Sequence, residues 1–363
     1  MAPFPFQRFV PGDNDFMKRY SKSLGNLFSF KQDFFRENDA KLQEFKKIAS
    51  VYRRQPRRLR CKNCDGPIEF TEGATFSKHD VQYSFCVRCG HLNGAYEDTD
   101  AFCAELYADN RGQKYASTYL AADQSAYHKR VTEIYLPKAQ FLRDALFELG
   151  QVPGRLSDFG AGAGHFVSAA RLSGFTGATG YEPSSTLVDF GNSMIGQQCL
   201  IQHELSDLVA IIEKAEAQVA SLIFVLEHVQ TPRSVLRALS DNRKIQFVYF
   251  SVPLFSPTVL FESVFPDVMP RHLVAGHTHL YTERSTRYFC EEFGFTPVAE
   301  WWFGLDIGDL YRSLWVTLGK AATPNPPLRE YLDKEFLPLV DKLQNVLDQA
   351  HQCTEVHMLL KKK

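Results

Sequence analysis

Long hydrophobic runs are missing from this 363-residue chain. No segment reaches the ~18 to 20 continuous apolar residues that a membrane-spanning helix requires, and the opening MAPFPFQRFVPGDND has no signal-peptide core. These absences predict a cytoplasmic protein. Net charge is missing as well, since 41 basic against 42 acidic side chains leave a formal −1. Nothing global therefore attracts nucleic acid or an anionic membrane. In a reducing compartment the eight cysteines read better as metal ligands plus buried singletons than as a disulfide framework. No internal repeat is present.

What remains is ample for a packed core. With 44% hydrophobic and 23% charged residues, the chain supports one α/β domain of ordinary size with one or two smaller appendages. The densest basic run, Arg53-Arg54, Arg57-Arg58 and Arg60, is expected to be a solvated linker face, with a phosphate-binding face as the other reading.

Composition shifts divide the chain into five parts. Residues 1–58 carry Phe16, Tyr20, Leu24, Leu27, Phe28, Phe34, Phe35, Leu42 and Phe45 at an approximately helical period, predicting two helices. Residues 59–98 hold short β-like runs between cysteine pairs, and 99–150 read as a helical lead-in ending at Gly150 and Pro153. From 151 to 322 apolar strand-like runs (LSDFG, ATGYEP, CLIQH, ASLIFVLEHV, QFVYFSVP) alternate with helical stretches, the pattern of a doubly wound, mainly parallel α/β sheet. A helix over 282–293 and a strand pair, TPVAEWWF with YRSLWVTLG, are expected to complete seven strands. After the TPNPP break, 323–363 predicts one helix from Leu328 to about His357, with Leu332, Phe336, Leu339, Leu343, Val346, Leu347 and Ala350 on one side. That side is expected to pack on the N-terminal helices or on a second copy.

Two constellations carry chemistry. Cys61-x-x-Cys64 and Cys86-x-x-Cys89 are two matched pairs 21 residues apart. Each pair makes a tight turn and both can aim at one ion, which suits a structural tetrahedral Zn2+ site. Cys103, Cys199, Cys290 and Cys353 have no such spacing and read as simple thiols. The second constellation, LSDFGAGAGHF, places Asp158 at a strand end, then Gly160, Gly162 and Gly164, then a helix. Glycines there let the backbone turn sharply against a ligand that a Cβ would block. The spacing fails the dinucleotide fingerprint G-x-G-x-x-G, whose third position falls on His165 or Val167.

The loop instead resembles the D-x-G-x-G-x-G first motif of class I S-adenosylmethionine-dependent methyltransferases, and later segments continue the resemblance over roughly residues 130 to 318. It implies a cofactor site built from Asp158, Gly160, Ala161, Gly162, Gly164, His165 and Phe166, with Glu182 and Pro183 at the ribose. Phe224 and Leu226 of FVLEHVQTP would lie against the methionine moiety. In the lead-in KYASTYLAADQSAYHKR, the resemblance puts Tyr115, Tyr119 and Tyr127 beside the sulfonium and Arg130 near the carboxylate.

For the acceptor, the run RHLVAGHTHLYT offers His272, His277, His279 and Tyr281. A four-cysteine lobe, this sheet and a histidine-rich loop together resemble methyltransferases of sugar and glycan biosynthesis, including deoxysugar C-methyltransferases with a His-Glu-His-x-x-Tyr-like segment. Here the Glu position is Thr278, which favours O-methylation of a sugar hydroxyl, with His279 or His228 as base and His277 and Tyr281 beside them. The implied partner is a small-molecule or glycan acceptor. A sugar C-methyltransferase, an RNA methyltransferase with a zinc ribbon and a non-catalytic scaffold are the other readings. Balanced charge and the lack of interleaved basic and aromatic positions count against RNA.

Overall fold

The computed structural model describes residues 16–23, 33–71, 74–107, 123–273, 276–320 and 325–363. Its centre is an eight-stranded sheet. Strands β1 (Met17–Tyr20), β5 (Leu156–Phe159), β6 (Thr179–Glu182), β7 (Leu200–Gln202), β8 (Val219–Ile223), β9 (Phe247–Pro253), β11 (Phe295–Phe303) and β12 (Glu355–Lys362) run in the order β1-β11-β12-β9-β8-β5-β6-β7. The stretch β9-β8-β5-β6-β7 is parallel, and β12 runs antiparallel to both β9 and β11. This is the mainly parallel α/β sheet that the resemblance implies, with one addition: β1 pairs in parallel with β11, Met17 opposite Ala299.

Helices cover both faces, as sequence patterning requires of a sheet with buried parallel strands. Every residue of β9 is buried. One face receives α4 (Leu136–Glu148) and α5 (His165–Leu172), which place Phe141, Leu142, Phe166 and Val167 in a core with Trp301. The other receives α8 (Pro232–Asp241) and α10 (Glu283–Glu292), whose Val235, Leu239 and Phe289 share a core with Trp302. Adjacent tryptophans thus point to opposite faces, the period-two alternation of a strand. Helix α10 starts at Thr282 in a capping box with Ser285, each side-chain hydroxyl receiving the other residue's backbone N–H.

A second, four-stranded sheet forms the cysteine-rich lobe: β2 (Thr75–Lys78), β3 (Val81–Phe85), β4 (Leu92–Gly94) and β10 (His279–Leu280), in the order β10-β4-β3-β2. The lobe's last strand is therefore supplied by the histidine-rich run that follows β9, and His279 pairs opposite Asn93. Helix α1 (Asn38–Tyr52) packs on this sheet through Ile48, Val51 and Tyr52.

Two expectations fail at the ends of the chain. The N-terminal segment, expected as two helices, holds a short helix Asp33–Arg36 and helix α1 among the described residues, and adds the edge strand β1. YRSLWVTLG is not a strand but part of helix α11 (Asp306–Lys320). Its apolar residues Ile307, Tyr311, Leu314, Trp315 and Leu318 recur at three and four, the helical period. The tail is not one helix. It runs through α12 (Pro326–Tyr331), irregular turns and α13 (Val340–Gln349), turns at His351 with φ +56°, and enters the sheet as β12. A strand hydrogen-bonded on both edges takes TEVHMLLKK, in which Val356, Met358, Leu359 and Leu360 are fully buried. Leu332 and Val340 pack against α11 and Phe35, whereas Leu339, Leu343 and Val346 stay exposed.

The arginine run is exposed at Arg53, Arg54, Arg57 and Arg60, as expected of a solvated face, and several of its members have partners. Arg58 is buried and pairs with Glu97 and Asp98, Arg60 pairs with Asp65, and Arg57 lies over the Phe70 and Tyr96 rings. No described helix is long and apolar enough to cross a membrane.

Candidate active site and cysteine centre

The strand order reverses at β5, whose neighbours β6 and β8 lie on either side, and the C-terminal ends of strands at such a point form a ligand crevice. The glycine loop leaves β5 there. Gly162 has φ +54° and open space where a Cβ would stand, so its backbone faces room for a ligand. Gly160 serves packing instead, because a Cβ there would meet Val225 Cγ2 at 2.6 Å. At the end of β6, Glu182 Oε2 accepts from the Gly162 amide at 2.9 Å and Oε1 from the Ser184 amide at 3.0 Å. Burial raises this carboxyl against the pull of those two amides. Each oxygen keeps a further lone pair, enough for a diol beside the open loop.

The other loop residues divide by role. Asp158 is buried between strands and accepts from the Ser221 hydroxyl at 2.7 Å, and burial pushes its carboxyl up to about 7. It braces β5 against β8. Ala161 donates its amide to Tyr181 O, and Phe166 stacks on Tyr249 inside the core. His165 is buried between Tyr127 and Tyr135, with centroids at 4.5 and 5.4 Å, and burial lowers it to about 3. Tyr127, on α3 (Gln124–Arg130), donates its hydroxyl to Ala163 O at 3.0 Å, which ties the lead-in to the glycine loop. Arg130 ends that helix and adds its charge to the lowering of His165. Pro183 follows Glu182, and its carbonyl accepts from the Gln202 side-chain Nε2. Tyr115 and Tyr119 lie outside the described residues.

Beyond β8 the chain turns at Phe224 with φ +55°, a left-handed conformation that costs a non-glycine residue roughly 1–2 kcal/mol. The Phe224 amide is held by Ser251 O at 3.1 Å and Ser251 Oγ at 3.2 Å, which fixes the turn. Leu226, expected at the methionine moiety, is instead buried in the core with Phe159 and Leu254. Glu227 and His228 follow. Burial pushes the Glu227 carboxyl up to about 8, and both its oxygens are buried without a hydrogen-bond partner. His228 lies beside it, Nε2 to Oε1 3.9 Å, with its side chain 23% exposed. Burial and the neighbouring His277 lower His228 to about 3. His277 is brought in from the loop after β9, its ring centroid 5.0 Å from that of His228.

His279 and Tyr281 go elsewhere. Both are 0% exposed. His279 Nδ1 hydrogen-bonds His91 Nε2 at 2.8 Å, and the Tyr281 ring packs 4.7 Å from His91. Their site is the seam under the cysteine lobe, so of the four side chains expected at the acceptor only His228 and His277 are partly exposed. Sequence reasoning left out Glu227 as a site group and did not single out His91. The first signal was the E-H step after an apolar strand, and the second had only its place two residues beyond Cys89.

The loop carrying His277 is anchored from below. Glu262 on α9 (Pro257–Val264) accepts from the amides of Arg271 and His272 at 2.6 Å and of Leu273 at 3.1 Å, and pairs with buried Lys78 of the lobe. Lys62, between the first two cysteines, donates to Val229 O at 3.2 Å and Gln230 O at 2.6 Å, just past His228.

All four paired cysteines are buried, with Cys61 Sγ 3.6 Å from Cys89 Sγ and Cys64 Sγ 3.5 Å from Cys86 Sγ. The four sulfurs lie within 4.8 Å of one another. A tetrahedral ion with bonds of ~2.3 Å needs sulfurs ~3.8 Å apart, so this donor set fits zinc. The remaining cysteines, 103, 199, 290 and 353, are buried singly.

Residues 128–300 match the family model of a methyltransferase domain, Methyltransf_23. The chain is an S-adenosylmethionine-dependent methyltransferase. No curated protein matches the methyltransferase's sequence. Among solved structures it is similar to the plantazolicin methyltransferase BpumL in complex with S-adenosylhomocysteine, at 12% identity and TM-score 0.44 over 72% of this chain and 94% of that one. It is also similar to magnesium protoporphyrin IX methyltransferase from Synechocystis PCC 6803, at 10% identity and TM-score 0.45 over 73% and 100%. Geranyl diphosphate C-methyltransferase from Streptomyces coelicolor follows at 13% and 0.39 over 71% and 88%.

Proposed function

We propose that the methyltransferase acts on a hydroxyl of a small molecule or glycan, with a sugar or sugar nucleotide of surface-polysaccharide biosynthesis as the acceptor. The observation that carries the reading is the pairing of two features at one sheet edge. The glycine loop opens at Gly162 beside Glu182, and the partly exposed histidine pair His228 and His277 stands at the end of the neighbouring strand β8. S-adenosylmethionine, when bound, supplies an electrophilic methyl group. Glu182 would hold its ribose diol, the amides around Gly162 would border its amino-acid part, and Tyr127, Arg130 and Phe224 would close over it. His228 and His277 would receive the acceptor hydroxyl. The support for a sugar is the run His277-Thr278-His279-Leu280-Tyr281 together with the cysteine lobe in front of this sheet.

The cysteine quartet would hold a structural Zn2+. Its place supports that role, because among the described residues the lobe braces the site from outside, through Lys62, β10 and the Lys78–Glu262 pair. The proposed parts are a lobe over 59–98, a lead-in over 99–150 and the methyltransferase unit from 151. The engaged arginines give no support to RNA as substrate. Calorimetric titration with S-adenosylhomocysteine, followed by a screen of sugar nucleotides with methyl-labelled cofactor, tests the reading. Cofactor binding lost in Glu182→Ala and label transferred to a sugar are the expected results. Label transferred only to RNA or protein would refute the acceptor assignment.

A further inference from the structure

Among the described residues, two clusters of metal-ligating side chains stand out: the four cysteines, and Glu227 with His228 and His277. The second has three properties that a packing role does not require. Both Glu227 oxygens are buried with no hydrogen-bond partner. A buried carboxylate left so costs several kcal/mol, and native proteins offset that with a proton, a paired charge or an ion. His277 Nδ1 lies 2.8 Å from the His272 carbonyl, so it donates there, and Nε2 carries the ring's lone pair. This is the arrangement by which an outer partner fixes a ligating imidazole. Finally, one ligand atom from each of the three residues lies within 4.8 Å of the others, with Glu227 Oε1 and His228 Nε2 3.9 Å apart.

We propose that Glu227, His228 and His277 form a binding site for a divalent first-row transition-metal ion at the acceptor end of the sheet. Ligand bonds of ~2.1 Å put tetrahedral donors ~3.4 Å apart, so loading draws the 3.9 Å pair in by about half an ångström and the widest pair by at most about 1.4 Å, a side-chain rotation. Two imidazoles and one carboxylate select Mn2+, Fe2+, Co2+ or Zn2+ over Mg2+ and Ca2+, which favour all-oxygen sets. Three protein ligands leave coordination positions open. The ion site stands on geometry alone; its use, to hold and polarise an acceptor oxygen, rests on the acceptor reading above. The ion would stand two residues beyond Val225, the side chain that packs against Gly160 of the glycine loop.

The test uses full-length protein with zinc on its cysteines, titrated with Mn2+, which thiolate sites bind weakly, while free Mn2+ is read by electron paramagnetic resonance. The expected result is one Mn2+ per chain, with nitrogen hyperfine coupling from two imidazoles in the unaltered protein. Affinity should fall at least about tenfold in Glu227→Gln and His277→Gln, with zinc content kept. S-adenosylhomocysteine titration of the same samples reports the cofactor site separately. Protein that binds the nucleoside but takes up no Mn2+ or Co2+ at millimolar concentration overturns the ion site and leaves His228 and His277 to act on the hydroxyl directly. Uptake without imidazole coupling, or unchanged in both variants, also overturns it.

Discussion

The two ends of the candidate site are built in different ways. The donor end is local: β5, the glycine loop and the end of β6 lie within 27 residues, from Leu156 to Glu182, and hold each other through backbone amides. The acceptor end is assembled. Glu227 and His228 follow β8, His277 comes from beyond β9, and the lobe fixes both through Lys62 and through Lys78 on Glu262. A site of the first kind survives if its own loop is intact, whereas a site of the second kind depends on elements more than 150 residues away.

Removing the metal proposed for the cysteines should separate the ends most sharply. Structural zinc at four thiolates is worth ~10 kcal/mol of folding free energy in small domains. Chelation is expected to release one Zn2+ per chain and to expose the amides of β3, β4 and β10 to hydrogen exchange, while those of β5 and β8 stay protected. Loss of protection across the whole central sheet would show that the two ends fold as one unit.

Acid should act on the same side with a smaller effect. Burial alone would raise the Glu262 carboxyl, but Lys78, His272 and the backbone donors outweigh it and bring it down to about 2, from an ordinary 4.5. The unfolded chain therefore binds more protons between those values, and stability falls as pH drops through that window. The loss is about 3 kcal/mol by pH 2, and it is absent above pH 5. Glu262→Gln should remove this part of the pH dependence in denaturant titrations. An unchanged slope would mean that Lys78 does not hold the carboxylate charged.

This contrast also explains what could be read from the sequence. The glycine loop, Glu182 and the two cysteine pairs each lie in one short segment, where spacing alone reports geometry. The Glu227, His228 and His277 cluster has no spacing to read, because 49 residues separate its members and the loop between them is set by Glu262. His279 looked equivalent to His277 in the run, yet its pairing with Asn93 turns it into the lobe. At the chain ends, TEVHMLLKK and YRSLWVTLG are both apolar-rich, and only their partners decide which becomes a strand. Asp306 and Asp309 in the first turn of α11 were a helix-start signal for the second.

At the donor end, Glu182→Ala removes a carboxylate bonded to two amides and, on the proposed function, to the ribose. Hydrogen bonds to a charged group contribute about 1.5–3 kcal/mol, so S-adenosylhomocysteine should bind ~10- to 100-fold more weakly. Mn2+ uptake at the acceptor end should not change. Equal affinity in variant and parent, measured by calorimetry, would move the ribose away from β6.

The finest comparison is between two glycines of one loop, where the expected difference in cofactor affinity is the smallest. Gly160→Ala would drive a methyl group against Val225, a contact of 2.6 Å, besides its positive φ, and should cost a few kcal/mol of stability. Gly162→Ala meets no atom within 4 Å, so only its φ of +54° opposes it, at roughly 1 kcal/mol. Thermal melts should thus shift more for the first, and cofactor affinity should drop more relative to stability for the second, since its methyl would enter the open space the ligand needs. If Gly162→Ala leaves affinity intact, that space is solvent and the cofactor sits elsewhere along the loop.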